Sequence, residues 1–151
     1  MRTAFGLAPL AAVAAAALAA CSAHEDPAAQ GVRAAVIRYD AALVDAFRSS
    51  RADGLRAVAT ESQVSRDAAV IAGLARQDRF MVARQDRFRV EKVVVSAPAR
   101  AEVDAEEAWT YEHRALGAPD APVEAKTLAY RMKYRLEGGP SGWRVSETIE
   151  R

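Results

Sequence analysis

Ala101-Glu102-Val103-Asp104-Ala105-Glu106-Glu107-Ala108-Trp109-Thr110-Tyr111 is the stretch that decides the fold. Ala101, Val103, Ala105, Trp109 and Tyr111 alternate with Glu102, Asp104, Glu106 and Thr110, the period of two that sends successive side chains to opposite faces of a β-strand. One face is apolar and the other wet, as expected of an antiparallel sheet covered on one side. Further on, Leu128, Tyr130, Met132, Tyr134 and Leu136 alternate with Arg131, Lys133 and Arg135, predicting a partner strand of the same kind. The acids Glu102, Asp104 and Glu106 match these bases in number and spacing. Antiparallel pairing sets such charges opposite one another, where each cross-strand pair contributes about 0.2–1 kcal/mol and helps fix the register. The basic stripe therefore reads as a solvated sheet face rather than a nucleic-acid groove.

Outward from this pair, Val90, Val93, Val94 and Val95 mark an earlier strand beginning at Phe88, with a turn at Pro98. Gly117 to Pro122 predicts a loop, and Gly138-Gly139-Pro140-Ser141-Gly142 a turn before a closing strand with Trp143, Val145 and Ile149. Upstream the period is helical. Val32, Val36, Tyr39, Leu43 and Phe47 stack on one face of a helix ending near Ser49. Leu55, Val58 and Ala59 suggest a short second helix. Thr60 followed by Gln63 has the spacing of a capping box, opening a third helix with Val64, Ala68, Ile71 and Leu74. Ala-Arg-Gln-Asp-Arg-Phe occurs twice, at Ala75–Phe80 and Ala83–Phe88. The period is too short for a solenoid unit, so the repeat reads as a local duplication. Its arginines Arg76, Arg79, Arg84 and Arg87 would form a basic recognition patch, but Asp78 and Asp86 offset their charge.

The N-terminus is of another character. Arg2 precedes an apolar run from Ala4 to Leu18, which is followed by small residues and Cys21, the chain's only cysteine. Gly6 and Pro9 interrupt a run already shorter than the roughly 20 residues a membrane-spanning helix needs. Leu18-Ala19-Ala20-Cys21 resembles the lipobox of bacterial lipoproteins. The resemblance implies a signal peptide over 1–20, cleavage before Cys21 and acylation of that cysteine. Several acyl chains, each stabilised in the bilayer by about 0.8 kcal/mol per CH₂, make a stable anchor. Ser22 stands where aspartate would imply inner-membrane retention, so the expected location is the outer membrane, facing the periplasm. Residues 21–30, polar and containing Pro27, read as a tether, and 31–151 as a single domain.

With Cys21 committed to lipid, the domain has no cysteine for a disulfide, metal site or nucleophile. Losing Arg2 with the signal leaves 20 basic against 20 acidic residues, a balance that argues against nucleic acid as a partner. There is no Gly-rich phosphate loop, no histidine pair at ligand spacing and no nucleophile elbow, so neither cofactor nor metal is expected. His24 lies in the tether, leaving His113 as the domain's one histidine.

Glu107 is the anomaly, because it falls in phase with the apolar face of its strand. Burial raises a carboxylate pKa toward the range useful for acid–base chemistry. Tyr111 and His113 extend the same face, and Asp40 flanks the apolar stripe of the first helix beside Tyr39. Together Glu107, Tyr111, His113 and Asp40 are the candidates for a pocket beneath the helices. The competing reading pairs Glu107 with Lys92 or an arginine and leaves His113 in solvent at the start of a loop.

Helix, short helix, helix and then antiparallel strands resembles the cone-shaped α+β fold of the nuclear transport factor 2-like (SnoaL-like) superfamily. The most telling portion is Leu128 to Trp143, with Tyr130, Tyr134, the Gly-Gly-Pro-Ser-Gly turn and the closing Trp-Arg-Val. Glu107-Ala108-Trp109-Thr110-Tyr111-Glu112 is similar to the intermembrane-space domain of a chloroplast division protein. The resemblance implies N-terminal helices on a curved antiparallel sheet, a pocket at the wide end, and dimerisation through the sheet in related cones. It implies a binding domain for an envelope protein or small ligand, the alternative being an isomerase, hydratase or hydrolase using an acid in the pocket.

Overall fold

The computed structural model describes residues 26–151; Cys21, the signal segment before it and His24 lie outside them. Helix α1 spans Pro27–Ser49, a 3₁₀ turn Asp53–Ala57 and helix α2 Glu61–Ala75. Strands β1 (Arg79–Ala97), β2 (Arg100–Ala115), β3 (Ala118–Gly139) and β4 (Gly142–Glu150) follow. They form one antiparallel sheet in the order β1-β2-β3-β4. The chain is thus an α+β domain with its helices on one face of the sheet.

Helix α1 starts earlier than its apolar stripe suggests. Asp26 caps it, accepting from the Ala28 amide at 3.0 Å, and Pro27 occupies the first turn, where its missing N–H is no loss. Residues 27–30, read from sequence as tether, are therefore helical. The helix stops at Ser50, whose φ of 56° is left-handed, with its N–H bonded to the Ala46 carbonyl. Leu55 of the 3₁₀ turn is wholly buried.

Thr60 is the N-cap of α2, but the capping box does not form. The Thr60 amide, which Gln63 would have to satisfy, donates instead to the Val145 carbonyl at 2.9 Å, and the Val145 amide donates to Val58 at 2.9 Å. The segment Val58–Thr60 thus covers the free edge of β4, a tertiary use of the amide that outweighs the local one. Gln63 is released into the interior.

Strand β1 begins at Arg79 rather than Phe88, so the duplicated hexapeptide takes two conformations. Its first copy ends α2 and turns through Asp78, at φ 54°; its second lies within β1, where Asp86 is the extra residue of a bulge. Further irregularities fall between Val90 and Lys92 and between Val95 and Ala97. Each of the first two shifts the inward phase by one residue, from Met81 and Ala83 to Phe88 and Val90 and then to Val93. That is why Val94 is exposed and why this long strand curves; Val95 shares the inward phase of Val93, opposite Ala101, but lies close to the end of the strand. The loop expected at 117–122 is largely strand, with the chain reversing at Leu116-Gly117. Pro119 and Pro122 are tolerated because β4 pairs only with Met132–Gly139, leaving this half of β3 on an edge.

The β2–β3 register sets Glu102 opposite Arg135, Asp104 opposite Lys133 and Glu106 opposite Arg131. Lys133 reaches Glu102 diagonally at 2.6 Å, and Glu106 takes Arg89 of β1 at 2.7 Å. On the other face Val32, Ala35 and Val36 of α1 pack with Ala101, Val103, Ala105, Leu136 and Val145 to form the core.

Candidate functional site

The inward face of β2 is buried at every second residue from Ala101 to Trp109, Glu107 included at 2% exposure. Up to Ala105 this face meets the core. From Glu107 onward it lines a cavity of about 580 Å³ walled by Leu43, Phe47, Trp109, Tyr111 and Tyr130. Trp109 and Tyr111 lie nearly parallel with ring centroids 6.1 Å apart, and Tyr130 stands edge-on to Tyr111 at 6.5 Å. A second cavity of about 400 Å³ shares Leu43, Phe47, Tyr111 and Tyr130 and extends to His113, Glu124 and Lys126.

Glu107 accepts a hydrogen bond from the Trp109 indole at 2.7 Å and a short one from the Tyr134 hydroxyl. Among the described residues no basic side chain neutralises it, neither Lys92 nor an arginine. The Tyr134 hydroxyl also faces Asp40 Oδ1 at 3.2 Å, while Gln85 donates to Asp40 Oδ2 at 2.9 Å. Asp40 is therefore not at the edge of the apolar stripe but inside it, 3% exposed, four residues after Val36 and three before Leu43. Desolvation by burial, reinforced by Glu107, pushes its carboxyl up to about 7. Burial likewise raises Glu107, opposed by the bonds from Tyr134 and Trp109. Tyr134 itself is raised by burial and by both carboxylates, so it remains a donor.

A second buried network adjoins the first. Tyr39 donates to Asp67 at 3.0 Å, and Gln63 Nε2 lies 3.0 Å from both the Tyr39 hydroxyl and Asp67 Oδ1. Gln63 is buried with its Oε1 unsatisfied, while burial raises Asp67. Asp67 and Tyr39 also line the larger cavity.

The structure thus brings Asp40, Glu107 and Tyr111 to one cavity. His113 is not on the cavity of Asp40 and Glu107 but on the second one, within β2, half-buried and 4.0 Å from Glu124. Tyr134, Gln85, Asp67 and Gln63 were not among the site candidates read from sequence, Gln63 having been assigned to a capping box and Tyr134 to an alternating strand. Their signal was phase: Tyr134 alternates with Met132 and Leu136, and Gln85 with Met81 and Ala83. Among the described residues no three His, Cys, Asp or Glu side chains are grouped as around a metal ion.

A helical layer on a curved four-stranded antiparallel sheet, with a cavity between them, defines a nuclear transport factor 2-like α+β fold. The intermembrane-space region of the chloroplast protein ARC6 superimposes with a TM-score of 0.71 at 21% identity, covering 81% of this chain and 95% of that one. A ketosteroid isomerase-like protein from Erwinia carotovora atroseptica gives a TM-score of 0.51 at 15% identity, over 83% and 97%. No protein-family model and no curated protein sequence matches the chain.

Proposed function

We propose that this chain is a lipid-anchored protein of the bacterial envelope whose cone-shaped domain binds a small ligand between α1 and the sheet. One observation carries the reading: a cavity of about 580 Å³ with aromatic walls, floored by two buried carboxyl groups that no basic side chain among the described residues neutralises. That volume lies within the range of small-molecule sites, which combine mostly apolar walls with a few convergent polar groups. A carboxylate sealed by an arginine would have spoken for structure alone. The lipobox-like Leu18–Cys21 supports anchoring through Cys21, in the outer membrane facing the periplasm.

The cavity reading is tested by a thermal-shift screen of metabolite-sized compounds against wild type and Leu43→Trp, which places an indole on the wall shared by both cavities. Ligands are expected to raise the melting temperature of wild type and leave the variant unmoved. A library that never separates the two proteins refutes the reading and returns attention to envelope protein partners. Anchoring is tested by Cys21→Ser, expected to move the protein from the membrane to the soluble fraction and abolish acylated mass.

A second reading, proton-transfer catalysis, is favoured by Asp40 being held at about 7, where its acid and base forms coexist. Deuterium exchange into an enolisable ketone such as cyclohexanone would show it. Exchange above the buffer rate that Asp40→Asn abolishes supports catalysis; no excess exchange leaves binding.

A further inference from the structure

We infer that the ligand class of this cavity is an organic cation, an ammonium group carried on an apolar or aromatic body. The inference rests on the small-ligand reading above and concerns what the cavity selects. Asp40, Asp67, Glu107 and Glu150 all line it, and among the described residues no Lys, Arg or His does. The donors that reach Asp40, Asp67 and Glu107 are neutral groups: Gln85, Tyr134, Gln63, Tyr39 and Trp109. Buried carboxylates are normally matched by a cation, and the fold supplies none to Asp40 or Glu107.

The proton count sharpens the point. One Tyr134 hydroxyl faces oxygens of both Glu107 and Asp40, and it can donate to only one of them. With both acids ionised, the other oxygen lacks a donor. Below about pH 7 a proton held by Asp40 meets the deficit. A primary ammonium entering from the aromatic side brings both the missing charge and the missing N–H groups. The rings of Trp109, Tyr111 and Tyr130 offer π-faces to the cation and apolar surface to its body. Arg66 acts on Asp67, but an anion would meet Asp40 and Glu107 with no basic group beside them, and a neutral alcohol would supply no charge.

Binding is then linked to pH. Among the described residues, the groups that bear on Asp40 are Tyr39 on its own helix, Gln85 of β1, Glu107 and Tyr111 of β2 and Tyr134 of β3, with Asp67 of α2 and Glu150 of β4 on the same cavity wall; none is basic. A primary amine stays protonated well beyond pH 8, as lysine does. Raising the pH from 6 to 8 therefore changes only the site. Asp40, held at about 7, passes from about one-tenth to nine-tenths ionised, which increases affinity about tenfold. At pH 6 the carboxyl proton leaves as the ammonium enters, so binding releases about one proton per ligand to the buffer.

The experiment is titration calorimetry of the full chain in neutral detergent with three probes: 2-(1-naphthyl)ethylamine, 2-(1-naphthyl)ethanol and 1-naphthylacetate, each with a detergent blank. The amine is expected to bind at least tenfold tighter than the alcohol at pH 8, to gain about tenfold between pH 6 and 8, and to release a proton at pH 6 in buffers of differing ionisation enthalpy. Asp40→Asn is expected to remove the pH dependence and most of the preference. An alcohol that binds as well as the amine, with Leu43→Trp blocking both, overturns the cation inference while the cavity reading stands. An amine preference flat with pH and unchanged in Asp40→Asn also overturns it. If no probe binds up to its solubility, both readings fall.

Discussion

Replacing Asp40 with asparagine should stabilise the domain, and by more at higher pH. Burial holds the Asp40 carboxyl at about 7 against an ordinary 3.8. Between those values the folded protein keeps a proton that the unfolded chain has released. The folded state binds more protons there, so stability falls as pH rises through this window, and the loss is complete once pH exceeds about 7. Asparagine reproduces the protonated group: its oxygen accepts from Gln85, its amide donates to the Tyr134 oxygen, and Tyr134 keeps donating to Glu107. At about 1.36 kcal/mol per pKa unit, the variant gains about 2 kcal/mol over wild type at pH 5 and about 4 kcal/mol at pH 8, the second figure being a ceiling. Glu102, Glu106 and Glu124 shift the other way, drawn down by hydrogen bonds from Lys133, Arg89 and Lys126. Their contribution is present above the unfolded carboxylate range and lost only as pH falls below it, so they are silent between pH 5 and 8. Urea unfolding of both proteins at pH 5, 6, 7 and 8, followed by tryptophan fluorescence, measures the gap. A gap constant with pH, or a variant less stable than wild type at pH 8, would refute the reasoning.

Tyr134→Phe removes the one hydroxyl facing both carboxylates and should cost about 2 kcal/mol, the penalty of leaving a buried charge-bearing group unsatisfied; urea midpoints measure it, and Asp40 should titrate higher still. Ser50→Gly relieves a left-handed residue at the end of α1 and should add about 0.5–1 kcal/mol, read as a rise in melting temperature. Gly138→Ala should lose about 1–3 kcal/mol, because its Cβ would sit 3.2 Å from Ala99 Cα and 3.3 Å from the Pro98 carbonyl, both backbone atoms that cannot swing aside; equal urea midpoints for variant and wild type would count against that packing.

The sheet was legible where one strand alternates without interruption. From Ala101 to Trp109 the sequence period and the burial period coincide, and the charge match between Glu102, Asp104, Glu106 and Arg135, Lys133, Arg131 predicts the observed register. Strand β1 was read less well because bulges shift its phase, and a bulge leaves no mark in hydrophobic period beyond an apparent error. The repeated Ala-Arg-Gln-Asp-Arg-Phe shows the limit of local reading: its first four residues end a helix and turn in one copy and lie in a strand in the other, so tertiary pairing outweighs propensity. At the site, Glu107 was visible as a polar residue in an apolar phase. Tyr134 and Gln85 obeyed the same rule, but neither stood out as a site residue, because tyrosine and glutamine are unremarkable on half-buried faces; only the fold reveals that they converge on Asp40.

The two halves of β2's inner face divide the physical work of the domain. Ala101, Val103 and Ala105 pack against Val32, Val36, Leu136 and Val145, a dry region that supplies the apolar burial on which folding depends. Glu107, Trp109 and Tyr111 continue the same face into the cavity, where acids are buried without counter-ions and Gln63 keeps an unsatisfied oxygen nearby. Replacing such a polar cluster with well-packed apolar residues is commonly neutral or stabilising, so stability alone gives no reason for it. A strand that only had to fold would carry its small apolar alternation through to His113. The alternation keeps its period while changing its chemistry at Glu107, so the packed scaffold ends and the cavity wall begins one residue pair further along the same strand.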